Sequence, residues 1–202
     1  MMREDPSDPY WSQIVEKEPL NGDRVFVIRD FLPPEECERL IAWSEAKGYG
    51  EAPITTAGGP VMYKDIRNND RLLIDEPALA AALFERARPL LVQDWFGWQV
   101  VGFNERLRFY RYGPGQKFAP HYDGYYERDS GERSHFTFMV YLNDGFAGGS
   151  TVFHGVRPAL RVRPERGIAL VFYHKQLHEG APVEKGRKYV LRTDVMYGRS
   201  SA

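Results

Sequence analysis

Residues 112–123 read Tyr-Gly-Pro-Gly-Gln-Lys-Phe-Ala-Pro-His-Tyr-Asp. The Gly-Pro-Gly at 113–115 is a turn, and the chain leaves it toward His121-Tyr122-Asp123. Alternate residues of an extended strand point to one face, so His121 and Asp123 offer an imidazole and a carboxylate to the same point. A second imidazole, His178, follows the apolar run Ile168–Tyr173 and precedes Glu179-Gly180-Ala181-Pro182, which turns the chain back. Two histidines and one carboxylate make a facial triad. Such a triad binds non-haem Fe(II) on one side and leaves the opposite positions open for a cosubstrate and O2. A rival pairing of His174 with His178 as a zinc pair needs a helix, and the strand before them and the Gly and Pro after them argue against one.

Outward from this stretch, runs rich in Val, Phe, Tyr and Thr alternate with Gly and Pro turns at 103–112, 135–142, 150–153, 168–173 and 188–197. Short strands at such spacing predict a sandwich or jelly roll. Upstream, Arg24–Ile28 alternates like a strand. A helix is expected from Pro34 to Gly48, with Glu35 and Glu36 in its first turn and Cys37, Leu40 and Ile41 on its apolar stripe. A second starts near Asp75 as N-cap, with Pro77 in its first turn. It carries Leu79, Leu83, Ala87 and Leu90 on one stripe, and Pro89 kinks or ends it. Residues 50–71 lack a period and hold Gly58, Gly59 and Pro60, which suggests a mobile loop or lid. The expected fold is α+β, a double-stranded β-helix (jelly roll, cupin-like) with N-terminal helices packed on one sheet. Residues 1–22 read as an N-terminal extension and 23–202 as one domain.

The 202 residues suffice for one sizeable core, and the net charge of -1 gives no global pull toward nucleic acid or membrane. The arginines at 157, 161, 163 and 166 read as a solvated face. Cys37 is the only cysteine, which excludes an intrachain disulfide and fits a reducing compartment. The N-terminus MMREDPSDPYW has no apolar core of a secretory signal, so a cytoplasmic location is expected. Ala78–Val92, the most apolar stretch, is broken by Glu85, Arg86 and Arg88 and reads as a packed helix, not a membrane span.

From Arg106 to Tyr197 the chain resembles the catalytic domain of prolyl 4-hydroxylase-like Fe(II)/2-oxoglutarate dioxygenases. Residues 112–123 are similar to that family's YxxGQxYxxHxD, with Phe118 for the second tyrosine. Thr137–Asp144 (TFMVYLND) resembles TxxxYLND, and Gly148–Phe153 (GGSTVF) resembles GGETxF with Ser150 for Glu. Pro164–Phe172 resembles PxxGxALxF, and His178–Lys188 resembles HxGxPVxxGxK. The opening VFVIRDFLPPEECERLI is similar to the family's first strand and helix, so the resemblance spans about 24–197. Tyr197 stands near the place of a tryptophan-containing end in animal and plant enzymes.

The resemblance implies Fe(II) held by His121, Asp123 and His178, with 2-oxoglutarate, O2 and ascorbate as the other cofactors. It implies hydroxylation with release of succinate and CO2, and the carboxylate of Asp123 favours hydroxylation over the halogenation of relatives that lack it. Lys188 stands where the family places its lysine for the distal carboxylate of 2-oxoglutarate. Arg192 shares its strand face and is a second candidate, offering a bidentate fork where lysine offers a point charge. Tyr112 adds a hydroxyl by resemblance, and Tyr110 on the same face is an alternative. Arg67, Asn69 and Arg71, in a dense polar run, and Tyr125 are candidate substrate contacts, with a solvated loop and an exposed aromatic as the plain alternatives. His135 and His154 read as surface or strand-packing residues.

The expected substrate is a prolyl residue in a protein or peptide, which calls for an open groove beside residues 50–71. The alternative is a free amino acid or other small molecule, which calls for a closed pocket with a counter-charge such as Arg67 or Arg71. Arg187 and Arg192 do not match the arginine spacing of nucleic-acid demethylases, so no nucleic acid and no membrane is expected as partner. A further alternative is a non-catalytic or 2-oxoglutarate-independent cupin-like metal protein. Oligomeric state and substrate identity are left open by the sequence.

Overall fold

The central strands Arg133–Tyr141, Ala169–Tyr173 and Lys188–Arg199 bury residues on both faces, which requires cover on two sides. In the computed structural model, which describes residues 16–56 and 59–199, the cover is helices on one side and a second sheet on the other. The strands that build the site are β1 (Lys17–Pro19), β2 (Val25–Ile28), β3 (Asp70–Asp75), β4 (Trp98–Phe103), β5 (Arg106–Tyr112), β6 (Phe118–His121) and β7 (Arg133–Tyr141). They continue with β8 (Thr151–Phe153), β9 (Leu160–Val162), β10 (Ala169–Tyr173), β11 (His178–Gly180) and β12 (Lys188–Arg199). The major sheet runs β1-β2-β10-β7-β12-β5-β3, and residues Gly50–Glu51 add to β3 at its edge. The long β12 pairs with β5 through residues 188–192 and with β4 through residues 195–199. The minor sheet is β6-β11-β8-β9. All of these pairings are antiparallel, as in a jelly roll.

Strand alternation divides the core in two. Leu107, Phe109, Phe136, Phe138 and Val140 face the helices α1 (Pro34–Lys47) and α2 (Pro77–Ala87) and meet Cys37, Leu40, Leu83 and Ala87 there. Tyr110, Tyr112, Met139, Tyr141 and Val190 face the minor sheet and meet Phe153 and Phe172. The first layer anchors the scaffold, and the second is the interior in which a site can be built.

Helix α1 begins on its proline and ends at Gly48, whose φ of +86 suits a residue without Cβ. Helix α2 differs from expectation at its start. Asp75 is the last residue of β3, not an N-cap; its carboxylate is taken by Arg106 at 2.8 Å, and Glu76 at the cap makes no side-chain cap hydrogen bond. α2 ends at Ala87, and a short 3-10 turn, Arg88–Leu90, carries Pro89. The expected strand 103–112 is two strands, parted at Asn104-Glu105.

The expected loop at 50–71 contains short paired strands. Ile54–Thr56 pairs with Gly59–Val61, and Asp70–Asp75 pairs along the whole of β5. Residues 66–69 are strapped to the chain entering β6: Ala119 N–H donates to Ile66 O at 2.8 Å and Lys117 N–H to Asn68 Oδ1 at 2.8 Å. This segment lacks a hydrophobic period because hydrogen bonds and one stacked arginine, not apolar side chains, hold it. Of the expected N-terminal extension, residues 1–15 lie outside the described residues, and Lys17–Pro19 forms the sheet's edge strand. No helix of the described residues is long and apolar enough to cross a membrane.

Candidate metal and cosubstrate site

The minor sheet sets His121 directly opposite His178, in the register of β6 against β11. β6 ends at His121, so strand pairing does not extend to Asp123. The chain stays tied nonetheless, because Asp123 N–H donates to His174 O at 3.1 Å. The result is the expected convergence by a different route. His121 Nε2 lies 3.5 Å from Asp123 Oδ1, His178 Nε2 lies 3.8 Å from Asp123 Oδ2, and the three ligand atoms all lie within 4.8 Å of one another.

Each imidazole is oriented by its other nitrogen. His121 Nδ1 meets Ala119 O at 2.8 Å and His178 Nδ1 meets Gln176 O at 2.9 Å. A carbonyl only accepts, so both Nδ1 atoms carry the proton and both Nε2 lone pairs face the centre. His121 Nε2 is buried without a hydrogen-bond partner. Burial lowers the His178 pKa to about 4, which keeps the ring neutral and ready to ligate. Burial pushes the Asp123 carboxyl up, but Arg192 and the two histidines outweigh it and hold it well below the usual range. Two neutral imidazoles and a carboxylate are the hard and borderline donors that suit Fe(II), so the residues fit the implied metal.

Thr137, His174 and Ser134, none of them assigned to the site from the sequence, fix the carboxylate. Thr137 Oγ1 donates to Asp123 Oδ2 at 2.6 Å. Its hydroxyl proton is thereby used, so His174 Nδ1–H donates to Thr137 Oγ1 at 3.1 Å. The neutral ring then accepts at Nε2 from the Ser134 hydroxyl at 3.0 Å, and Ser134 accepts from Tyr126 N–H at 2.9 Å. Burial holds the His174 pKa below its ordinary value, consistent with this neutral role. From the other side Arg192 Nη1 reaches Asp123 Oδ1 at 3.0 Å.

From the triad a narrow cleft runs inward between the sheets, past Met139, Val190 and Phe172 to Lys188, Tyr112 and Thr151. Lys188 is 3% exposed and its ammonium donates to Gly149 O at 2.6 Å. It sits 5.2 Å from the centres of the Tyr112 and Tyr141 rings, and Tyr141 and Thr151 share a 2.7 Å hydroxyl bond beside it. No carboxylate lies within ion-pair distance of it among the described residues, and burial lowers its pKa to about 7. Arg192, the other candidate cation, is already paired with Asp123 and lies 3.7 Å from Asp194. An orphaned buried cation at the closed end of a metal cleft fits the distal carboxylate of 2-oxoglutarate.

The remaining candidates fall around the rim. Arg67 and Asn69 are 5% and 2% exposed, not members of a solvated loop. The Arg67 guanidinium lies between the rings of Tyr110 (4.6 Å) and Phe118 (4.5 Å), and its Nε donates to Asn69 Oδ1 at 2.8 Å. Phe118 in turn stacks on His121 at 3.5 Å, so the phenylalanine that stands in the tyrosine position is a spacer between arginine and ligand. Arg71 is half-buried opposite Tyr110. Tyr125 is exposed and packs on Arg133, outside the cleft lining. His135 packs on Trp98, and His154 reaches Glu179 at 3.5 Å.

The profile of the 2OG-Fe(II) oxygenase superfamily matches residues 107–193, the span from β5 through most of β12. A probable prolyl 4-hydroxylase 3 of Arabidopsis thaliana is 25% identical over 215 residues, covering 89% of this chain and 70% of that protein. Among solved structures, the viral collagen prolyl hydroxylase of Paramecium Bursaria Chlorella virus-1, in its 2OG complex, aligns with a TM-score of 0.62. It is 24% identical and covers 87% of this chain and 97% of its own. A Trichoplax adhaerens prolyl hydroxylase, in complex with a hypoxia inducible factor oxygen degradation domain peptide fragment, aligns with a TM-score of 0.67. It is 16% identical and covers 87% of this chain and 84% of its own. Residues 107–193 thus match the 2OG-Fe(II) oxygenase superfamily, and the relatives and solved structures support a prolyl 4-hydroxylase-like, 2-oxoglutarate-dependent dioxygenase.

Proposed function

We propose that this protein hydroxylates an unactivated C–H bond of a prolyl residue in a protein or peptide. O2 and 2-oxoglutarate are consumed, and succinate and CO2 are released. The observation that carries the reading is Lys188, a buried ammonium without a carboxylate partner at the inner end of the cleft whose outer end is the triad. A cupin-like protein that does not use 2-oxoglutarate has no need of a cation there.

His121, Asp123 and His178 would hold the metal through Nε2, a carboxylate oxygen and Nε2. Lys188 receives the distal carboxylate of 2-oxoglutarate, with Tyr112 and Thr151 beside it. Thr137, His174 and Arg192 keep Asp123 ionised and in one orientation. The apolar walls Met139, Val190 and Phe172 exclude water from the cosubstrate. Metal and 2-oxoglutarate together supply the oxygen-activating chemistry, in which one atom of O2 ends in succinate and the other in the product hydroxyl. Ascorbate would supply the reductant that keeps the iron as Fe(II). The peptide substrate is supported by the prolyl hydroxylase relatives, one of them solved with a bound peptide fragment.

The test begins with anaerobic protein given Fe(II) and then 2-oxoglutarate. A visible charge-transfer band should need both additions and vanish in His121→Ala. Prolyl peptides should then gain one oxygen in mass with equimolar succinate. A band together with hydroxylation of free amino acids only would overturn the peptide substrate, and no band despite bound iron would overturn the oxygenase reading for these residues.

A further inference from the structure

We infer that the substrate presents a carboxylate, received by Arg71 and Arg67 at the rim of the cleft. The inference rests on the oxygenase reading above and names a chemical feature of the substrate. The carboxylate belongs either to an acidic side chain beside the target residue or to the free end of a small amino acid or peptide.

The register of the major sheet builds the subsite. Arg71 of β3 stands opposite Tyr110 of β5, which stands opposite Val190 of β12; in the next row are Leu73, Arg108 and Arg192. Directly opposed residues share a face. Tyr110, Val190 and Arg192 line the metal cleft, whereas Leu73 is 45% exposed. The rows therefore lead from the metal to solvent, and Arg71 stands one strand outward from a cleft wall. Arg67 roofs the same spot, stacked on Tyr110 and Phe118.

The charges on this face do not balance. Arg192 is answered by Asp123 and Arg108 by Asp194, each at 3.0 Å. Arg67 and Arg71 have no carboxylate within ion-pair distance among the described residues. Arg67 Nη2 is buried without any hydrogen-bond partner. Burial lowers the Arg71 pKa; Tyr110 opposes it, and repulsion from Arg67, Arg108 and Arg192 adds to the lowering. Burial alone would raise the Tyr110 pKa, but Arg192, Arg67 and Arg108 outweigh it and lower it. Metal and 2-oxoglutarate do not supply the missing charge, because a dication and a dianion cancel and the distal carboxylate is committed to Lys188. Cations buried without counter-charge are costly, and a fork of guanidinium donors is suited to a carboxylate.

The experiment uses the full chain loaded with catalytically silent Mn(II), with and without 2-oxoglutarate, and calorimetric titration of matched probes. The probes are acetyl-Ala-Asp-Pro-Ala-amide and acetyl-Ala-Pro-Asp-Ala-amide with their Asn counterparts, and acetyl-Ala-Pro as free acid and as amide. In at least one pair the acid is expected to bind about 10-fold tighter or more, and the pair that responds identifies the source of the carboxylate. In Arg71→Gln, and separately in Arg67→Gln, that preference should fall to near parity while 2-oxoglutarate affinity is kept. The Arg71 side chain makes no hydrogen bond among the described residues, so Arg71→Gln leaves the strand's backbone pairing in place. Equal binding of acid and neutral members in every pair, or full preference retained in both variants, overturns the proposal. Failure of the oxygenase reading is separately visible as loss of the Fe(II)–2-oxoglutarate band, since acid preference is read with Mn(II) alone as well.

Discussion

The Lys188 ammonium donates to the carbonyl oxygen of Gly149 at 2.6 Å and makes no ion pair among the described residues. Burial alone lowers its pKa to about 7. A bound carboxylate favours the charged form and moves the pKa back up toward its ordinary value. Binding of 2-oxoglutarate should therefore take up a proton when the pH exceeds about 7, and affinity should weaken as the pH rises through and above that point. Below it the lysine is already charged and the dependence flattens. Calorimetry of the Mn(II) protein in buffers of different ionisation enthalpy measures the uptake. In Lys188→Met the pH slope should vanish together with most of the affinity; a slope that persists would assign it to another group.

Thr137 hands its only proton to Asp123 and takes one from His174. Thr137→Val keeps the shape and deletes the donor. Metal affinity should drop by about 10–100-fold, as is usual when an outer-shell partner of a ligand is lost. His174→Phe should act in the same direction through Thr137. Competition with a chelator of known affinity is the measurement, and circular dichroism serves as the folding control. Metal affinity within two-fold of wild type in Thr137→Val would show the hydrogen bond to be incidental.

The strands were legible in the sequence because they rest on rules of short range: the apolar runs of β7, β10 and β12 leave little room for another structure. The triad was legible from the HxD spacing together with the family resemblance that includes His178, although β6 ends at His121 and Asp123 is placed by its hydrogen bond to the His174 carbonyl. What was not legible depends on partners distant in sequence. Arg67 was a candidate substrate contact with a solvated loop as the alternative, and the sequence held no sign that the rings of Tyr110 and Phe118 bury it. Asp75 read as a helix cap, but Arg106 claims its carboxylate. His174 read as a rival metal ligand, whereas Thr137 and Ser134 occupy both of its nitrogens. The choice between Lys188 and Arg192 likewise turned on Asp123, which answers the arginine and leaves the lysine unpaired.

Asp123 and His178 both belong to the proposed ligand set, but their loss should weigh differently on the metal-free fold. Asp123→Ala leaves Arg192 as a buried cation facing only the more distant Asp194, and leaves the Thr137 hydroxyl without its acceptor. Breaking a buried pair from one side costs about 3–5 kcal/mol. His178→Ala removes a neutral ring whose one polar bond is to the Gln176 carbonyl. In chelator-treated protein Asp123→Ala should therefore melt clearly below His178→Ala, although both lose metal binding. Equal melting temperatures would mean that Asp194 suffices to hold Arg192.

Gly149 ties the cosubstrate pocket to backbone conformation. Its φ is +68, and a Cβ there would stand 3.0 Å from the Phe146 ring and 3.2 Å from both Lys188 Cδ and Val183 Cγ2. Left-handed backbone costs a residue with a Cβ about 1–2 kcal/mol, and the contact falls on the stem that aims the ammonium. Gly149→Ala should lower stability and weaken 2-oxoglutarate binding several-fold, while metal affinity holds because no ligand touches the glycine. Gly155→Ala is the control, since a Cβ there meets nothing within 4 Å. Melting curves and a 2-oxoglutarate titration of the Mn(II) protein distinguish the two effects. If Gly149→Ala lost stability but kept its 2-oxoglutarate affinity, the lysine stem would not set the carboxylate's position, and that role would return to Arg192.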